Sequence, residues 1–212
     1  MFRVTILCSD AAHPVNAWLE RWAARNAERA DIAIVRDRAE CTGGDFLFLI
    51  SCHQIIGADV RANYRHTLVI HASDLPKGRG WSPMAWEVLA GADRITVSLL
   101  NAEDGVDSGD IWQKRSFALD GTELLDELNG KLFDAELELM DWALDHCDSA
   151  EPVSQSGEAT MWPRRTPSDS EIDPAKPLAD SFDAIRIADP DRFPAFFTHR
   201  GVTYNIRLEK QP

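Results

Sequence analysis

The strongest constraint on this chain is an alternation. Short runs of apolar, β-forming residues are separated by longer segments with helical spacing. Residues 2–8 carry Val4, Ile6 and Leu7, and residues 46–50 read Phe-Leu-Phe-Leu-Ile. Strands that are apolar on both faces need cover on both faces, which helices supply in a parallel sheet. The intervening segments fit that need. Residues 16–30 place Trp18, Leu19, Trp22, Ala23 and Ala27 at helical spacing, and residues 122–146 do the same with Leu124, Leu128, Leu132 and Met140. Further strands are expected at 32–35, 67–70 and 94–100, and a helix at 83–90 stopped by Gly91. Thr122 is the expected cap of the longest helix. The expected fold is α/β, a mostly parallel, Rossmann-like sheet flanked by helices.

Ligands in such sheets bind beyond the carboxyl ends of the strands. Three polar clusters follow predicted strands: Ser51-Cys52-His53, His71-Ala72-Ser73, and the acidic, glycine-rich loop 103–110. The composition then changes near Ser149. Residues 149–176 are rich in Pro, Ser, Glu and Asp and read as an extended arm. A short helix is expected at 182–188. Alternating residues on either side of Arg200-Gly201 predict a β-hairpin over 198–208. The expected division is a catalytic domain over 1–148, with the arm and hairpin of 149–212 packed on it.

Charge narrows the partners. The 212 residues carry a formal net charge of -13, and no basic run occurs beyond the isolated pair Arg164-Arg165. A nucleic-acid binder needs cationic surface to neutralise phosphates, so nucleic acid is not an expected partner. The 4 cysteines (Cys8, Cys41, Cys52, Cys147) form no CxxC pair, so neither a zinc site nor a redox motif is expected. The amino-terminal apolar stretch is too short for a signal peptide, and no run reaches the ~20 apolar residues of a membrane span. A cytoplasmic protein with reduced thiols and no membrane insertion is expected. The hairpin and the 7 tryptophans could pack within the chain or form a homodimer contact.

The densest chemical signal lies between residues 71 and 110. It consists of His-Ala-Ser-Asp-Leu-Pro-Lys-Gly-Arg-Gly-Trp-Ser-Pro from His71 and Asp-Gly-Val-Asp-Ser-Gly-Asp from Asp104. The pair resembles the two-part signature of the folate-dependent formyltransferases, N-x-H-x-S-L-L-P-x-x-R-G followed by D-x-G-x-D-T-G-D. This family includes enzymes acting on methionyl-tRNA, glycinamide ribonucleotide and amino sugars. The segments WPRRTPSDSEID from Trp162 and FDAIRIADPDRFPAFFTHRGVTYNI from Phe182 resemble the sugar N-formyltransferases. The resemblance is good from about residue 45 onward, while over residues 1–44 only the strand and helix pattern agrees.

The resemblance implies roles. His71 falls on the family's catalytic histidine, and an imidazole suits an acceptor for the proton lost by an attacking amine. Asp107 falls on the catalytic aspartate, which orients the imidazole and stabilises its cation. Asp104 and Asp110 read instead as turn residues. One departure stands out: the family's asparagine two residues before the histidine is Val69 here. That amide donates to the formyl oxygen, and losing such a donor costs on the order of a hundredfold. His53, Gln54, Asn101 or a protonated His71 are the candidates to replace it.

The resemblance also implies 10-formyltetrahydrofolate as formyl donor. It would lie between the loop after residues 46–50 and the loop 103–107. Ile55 and Ile56 would cover a pterin face, Glu103, Gly105 and Val106 would line the far side, and Arg79 and Lys77 would meet the folate tail or a substrate phosphate, or remain solvated. The chain is short and acidic, so the additional RNA-binding domain of the tRNA enzymes is not expected. The expected acceptor is therefore a nucleotide-linked amino sugar, converted to a formamido sugar for bacterial surface glycans. The missing asparagine and the Ser-Cys-His-Gln-Ile-Ile segment resemble enzymes of pseudaminic-type pathways. The alternatives are a 10-formyltetrahydrofolate hydrolase and an inactive homologue that binds folate or a sugar nucleotide.

Overall fold

In the computed structural model, which describes residues 1–211, the first apolar run forms β1 (Phe2–Leu7). Helix α1 (Asn16–Arg25) follows it, then β2 (Ala30–Val35) and β3 (Gly44–Leu49), both parallel to β1. A one-turn helix α2 (Ala58–Arg61) leads into β4 (Tyr64–His71), parallel to β3. A two-residue strand β5 (Arg79–Gly80) and helix α3 (Pro83–Leu89) precede β6 (Arg94–Asn101), which pairs antiparallel with β4. Strand β7 (Ile111–Ala118) closes the sheet antiparallel to β6, giving the order β2-β1-β3-β4-β6-β7. The long helix α4 (Leu125–His146) ends the sheet-forming part. The arm then contributes β8 (Met161–Trp162), helix α5 (Leu178–Arg186) and the hairpin β9 (Ala195–His199) and β10 (Val202–Ile206).

The hairpin turns at Arg200 and Gly201, both with positive φ (50° and 79°). That is the geometry a two-residue turn needs to match strand twist.

Several expectations shift. Helix α1 stops at Arg25 rather than 30, because the Asn26 side chain bonds back to the Trp22 carbonyl and across to Asp141. Thr122 does not cap α4. It is tied to Asp120, and Glu127 instead accepts the backbone N–H of Leu124 at the helix start. Strand β7 had no counterpart in the sequence reading.

The two faces of the sheet are covered unequally. On one face α1 and α4 enclose Trp22, Phe46, Phe48, Leu19, Phe133 and Met140, all essentially inaccessible. Cutting such a ring back to alanine costs roughly 3–5 kcal/mol, so this face carries much of the stability. The other face holds a smaller cluster around Leu7, Leu47, Leu49, Ile56 and Tyr64, with Val69 against it. Only the short α2 and loops cover that side, where helices had been expected on both. Side chains alternate along a strand. Leu68 and Ile70 of β4 therefore enter the large core, and Val69 and His71 point to the thinly covered face.

The arm is tied to the sheet-forming part at a buried charge cluster. Arg186 of α5 donates to the Glu123 backbone carbonyl at 3.0 Å, with the Glu123 carboxylate 3.7 Å away. Burial by itself would raise Glu123. The Lys131 ammonium and backbone N–H groups of residues 120–121 outweigh it and hold the carboxyl at about 2.

Candidate active site

The site begins where β4 ends. After His71 the chain turns through residues 74–78 and comes back at Gly78, whose φ of 73° lies in the left-handed region. The turn brings the Gly78 carbonyl to 2.8 Å from His71 Nε2. A side chain at 78 would crowd Trp162 Nε1 at 2.7 Å, so glycine answers both conformation and space.

Asp107 arrives by a less direct route than the sequence suggests. Because β6 runs antiparallel to β4, Asn101 lies opposite Leu68, three residues before His71. The loop 102–110 therefore leaves beside the middle of β4, at Thr67, and folds back over the thinly covered face. Asp107 sits at φ 49°, a left-handed conformation that costs a non-glycine residue energy. Its Oδ2 accepts the Gly80 N–H at 2.9 Å and lies 3.5 Å from His71 Nδ1, with both side chains about nine-tenths buried. Gln155 from the arm donates its amide to the carbonyls of Asp107 and Gly109, each at 2.8 Å. Gly109 has no room for a side chain, since a Cβ would fall on the Asn101 carbonyl.

These contacts assign the proton positions. A carbonyl only accepts, so the bond to Gly78 places the imidazole hydrogen on Nε2. In the neutral ring the lone pair is then on Nδ1, the nitrogen facing Asp107. A proton taken up at Nδ1 meets a carboxylate that stabilises it. The arrangement is one that can serve as a base with an orienting carboxylate, held by backbone contacts on three loops.

The two loops expected to enclose a pterin are joined by Arg61. Its guanidinium donates to the Ile56 carbonyl at 2.7 Å and to Asp104 at 2.6 Å. Asp104 is thus more than a turn residue, and Asp110 likewise accepts Ser154 Oγ and anchors the arm. Ile55 is 82% exposed and Val106 60% exposed, two large aliphatic side chains held in solvent on these two loops. Ile56, by contrast, is buried in the smaller core and offers its carbonyl rather than its side chain. Glu103 and Gly105 are exposed on the loop. Arg79 bonds Gln155 at 2.7 Å and so braces the arm rather than standing free.

The candidates to replace the missing amide are constrained by parity and by existing bonds. Asn101 pairs with Leu68 and takes the Trp112 indole N–H, which puts it on the face opposite Val69. Gln54 is committed to the backbone of Arg36 and Arg38. His53 is exposed, its ring 5.5 Å from that of Trp81. His71 itself is the one candidate already inside the site. Sequence reasoning missed Arg61, Gln155 and the close packing at Gly109. Gln155 lies 48 residues from Asp107, in a stretch whose composition signals only a linker.

A model of the formyl transferase family matches residues 5–144, and the chain belongs to that family. Methionyl-tRNA formyltransferase of Rickettsia massiliae is 33% identical over 95 residues, 45% of this chain and 32% of that protein. The chain thus aligns with about a third of the length of the curated relatives it matches. Among solved structures, methionyl-tRNA formyltransferase from Clostridium thermocellum superposes with a TM-score of 0.84 at 23% identity, covering 100% of this chain and 94% of that one. HypX from Aquifex aeolicus in complex with tetrahydrofolic acid gives 0.79 at 19%, over 95% of this chain and 36% of that one. A sugar N-formyltransferase from Shewanella gives 0.75 at 15%, over 100% and 99%. At these identities the superpositions establish a shared fold. Among the described residues, no helix is long and apolar enough to cross a membrane.

Proposed function

We propose that this chain transfers a formyl group from 10-formyltetrahydrofolate to the amine of a nucleotide-linked amino sugar. The observation that carries the reading is the His71–Asp107 pair, with Nδ1 as the open base 3.5 Å from a buried carboxylate. The attacking amine forms a bond to the formyl carbon while the carbonyl π pair moves to oxygen. The nitrogen, now positive, gives its proton to Nδ1 of His71, and Asp107 stabilises the resulting imidazolium. Collapse of the tetrahedral centre expels the folate N10, which takes a proton, leaving a formamide and tetrahydrofolate. No proton is gained or lost overall.

The folate fits the opening that Arg61 spans. Exposed Ile55 and Val106 offer apolar contact for a flat ring, and the backbone of loops 51–57 and 102–106 offers donors and acceptors for its edge. The family match and the shared fold with a tetrahydrofolate-binding protein support this placement. Val69 gives no hydrogen bond to the developing oxyanion, and the His71 N–H is held by Gly78, so that charge is left to backbone N–H groups.

The acceptor follows from charge and from the arm. A net charge of -13 disfavours a tRNA polyanion, and the segment from Trp162 resembles the sugar N-formyltransferases. The product would be a formamido sugar of a bacterial surface glycan, of the pseudaminic type on the finer reading, made in the cytoplasm. The test is an absorbance assay with pure protein, 10-formyltetrahydrofolate and a panel of amino sugar nucleotides, with mass spectrometry of the products. Sugar-dependent loss of the formyl group and a product one formyl heavier are expected. Loss without any amine would identify a hydrolase and remove the sugar reading.

A further inference from the structure

The arm places two adjacent arginines on two indole faces at the rim of this site. The Arg164 guanidinium lies 5.0 Å from the Trp81 ring centroid, and that of Arg165 lies 5.9 Å from the Trp86 ring. The backbone fixes both. Trp86 donates its indole N–H to the Pro163 carbonyl at 2.9 Å, and the Trp81 N–H reaches the Trp162 carbonyl at 3.2 Å. Trp81 directly follows Gly80, whose N–H holds Asp107. Trp162 lies against Gly78, whose carbonyl holds His71.

Neither arginine has a carboxylate within ion-pair distance among the described residues, although the chain has 35 Asp and Glu against 22 Lys and Arg. Arg165 makes one bond, to the Asp169 backbone carbonyl, while the Asp169 carboxylate is taken by Thr166. Its Nε is buried without a partner, and burial pulls its guanidinium below the usual value with only a partial offset from Asp169. An unpaired, partly desolvated cation such as Arg165 is costly unless an anion completes it, and Arg164 beside it is an unpaired cation in solvent. Stacking leaves the edge N–H groups of Arg164 free, and a guanidinium fork suits phosphate oxygens. Trp81, 38% exposed between Arg164 and His53, offers an aromatic surface beside them.

We infer that Arg164 and Arg165, carried on Trp81 and Trp86, form the subsite for the diphosphate of the acceptor. The assignment rests on the nucleotide-linked acceptor proposed above, but its test does not need that acceptor. Binding of inorganic pyrophosphate to the purified protein is measured by calorimetry, without folate or sugar. Wild type binds, Arg164→Gln and Arg165→Gln each weaken binding at least about tenfold, and the surface variant Lys176→Ala leaves it unchanged. Thermal unfolding checks that each variant is folded. Arg164 is exposed, so its variant keeps the test valid even if Arg165→Gln destabilises the arm. In turnover, Arg164→Gln raises KM for the nucleotide sugar with kcat and the folate KM unchanged. Absent pyrophosphate binding, or binding indifferent to both arginines, overturns the inference even where formyl transfer is found. A rise confined to the folate KM overturns it in favour of the folate's glutamate tail. Arginine-dependent pyrophosphate binding without any sugar turnover keeps the subsite and removes the proposed acceptor.

Discussion

The two sides of the cleft are built by different rules. On the His71 side the pair is held by bonds to the backbone: Nε2 on Gly78, the Asp107 carboxylate on Gly80, the Asp107 carbonyl on Gln155. Left-handed backbone at Gly78 and Asp107 is held by those bonds. On the other side Ile55 and Val106 stand in solvent, and Arg61 alone bridges the loops that carry them. Under the proposed function, the comparison teaches that the groups assigned to proton movement are set before substrate arrives, while those assigned to the ligands are left open. Geometric precision matters most where bonds are made and broken.

If that division holds, variants on the two sides fail differently. His71→Ala or Asp107→Ala should lower kcat at least about a hundredfold, with the folate KM little changed, because base and orienting acid act as one unit. Steady-state kinetics checks this, and a loss confined to KM would break the comparison. Val69→Asn sharpens it. Restoring an amide beside the developing oxyanion should raise kcat about tenfold. The polar group also intrudes on the smaller core, so thermal unfolding should show a loss of roughly 1–3 kcal/mol. Ile55→Ser should raise the folate KM only a few-fold, in line with about 0.5–1 kcal/mol of apolar contact, and leave kcat alone.

A further effect lies away from the cleft, on the well-covered face. Glu136 of α4 is wholly buried, and burial alone lifts its carboxyl to about 8. The folded chain keeps a proton that the unfolded chain releases, so this group's stability contribution falls as pH rises from 4.5 to about 8. His13 has the opposite sign. Burial first, then Arg192, lowers it from 6.5 to about 4, so its contribution is lost as pH falls through that interval. The two oppose each other in acid, and Glu136 acts unopposed between 6.5 and about 8. Denaturant unfolding across that window should show wild-type stability declining and Glu136→Gln flat.

How much could be read from the chain follows the same physics. Strands β1, β3 and β6 were legible because buried strands are continuous apolar runs, and the hairpin because Arg200-Gly201 interrupts an alternating pattern. Strand β7 was not. It is an edge strand whose Gln113, Lys114 and Arg115 are half exposed, so its pattern looks like loop. Orientation was also hidden, because nothing in an apolar run says whether β6 is parallel to β4. The resemblance singled out His71 and Asp107, and the structure brings their side chains together. Ile56 is buried in the smaller core while Ile55 beside it is exposed, a difference that two like residues in a loop do not signal. Arg61, Gln155 and the unpaired arginines depend on contacts between distant segments, which composition does not encode.

The most direct test of the central claim follows the formyl carbon itself. In a single turnover with 13C-formyl-labelled 10-formyltetrahydrofolate and an amino sugar nucleotide, mass spectrometry reads where the label goes. The account predicts label on the sugar nitrogen with wild type, and none above background on that timescale with His71→Ala. Label released as formate by wild type, or the same transfer by the variant, would contradict it.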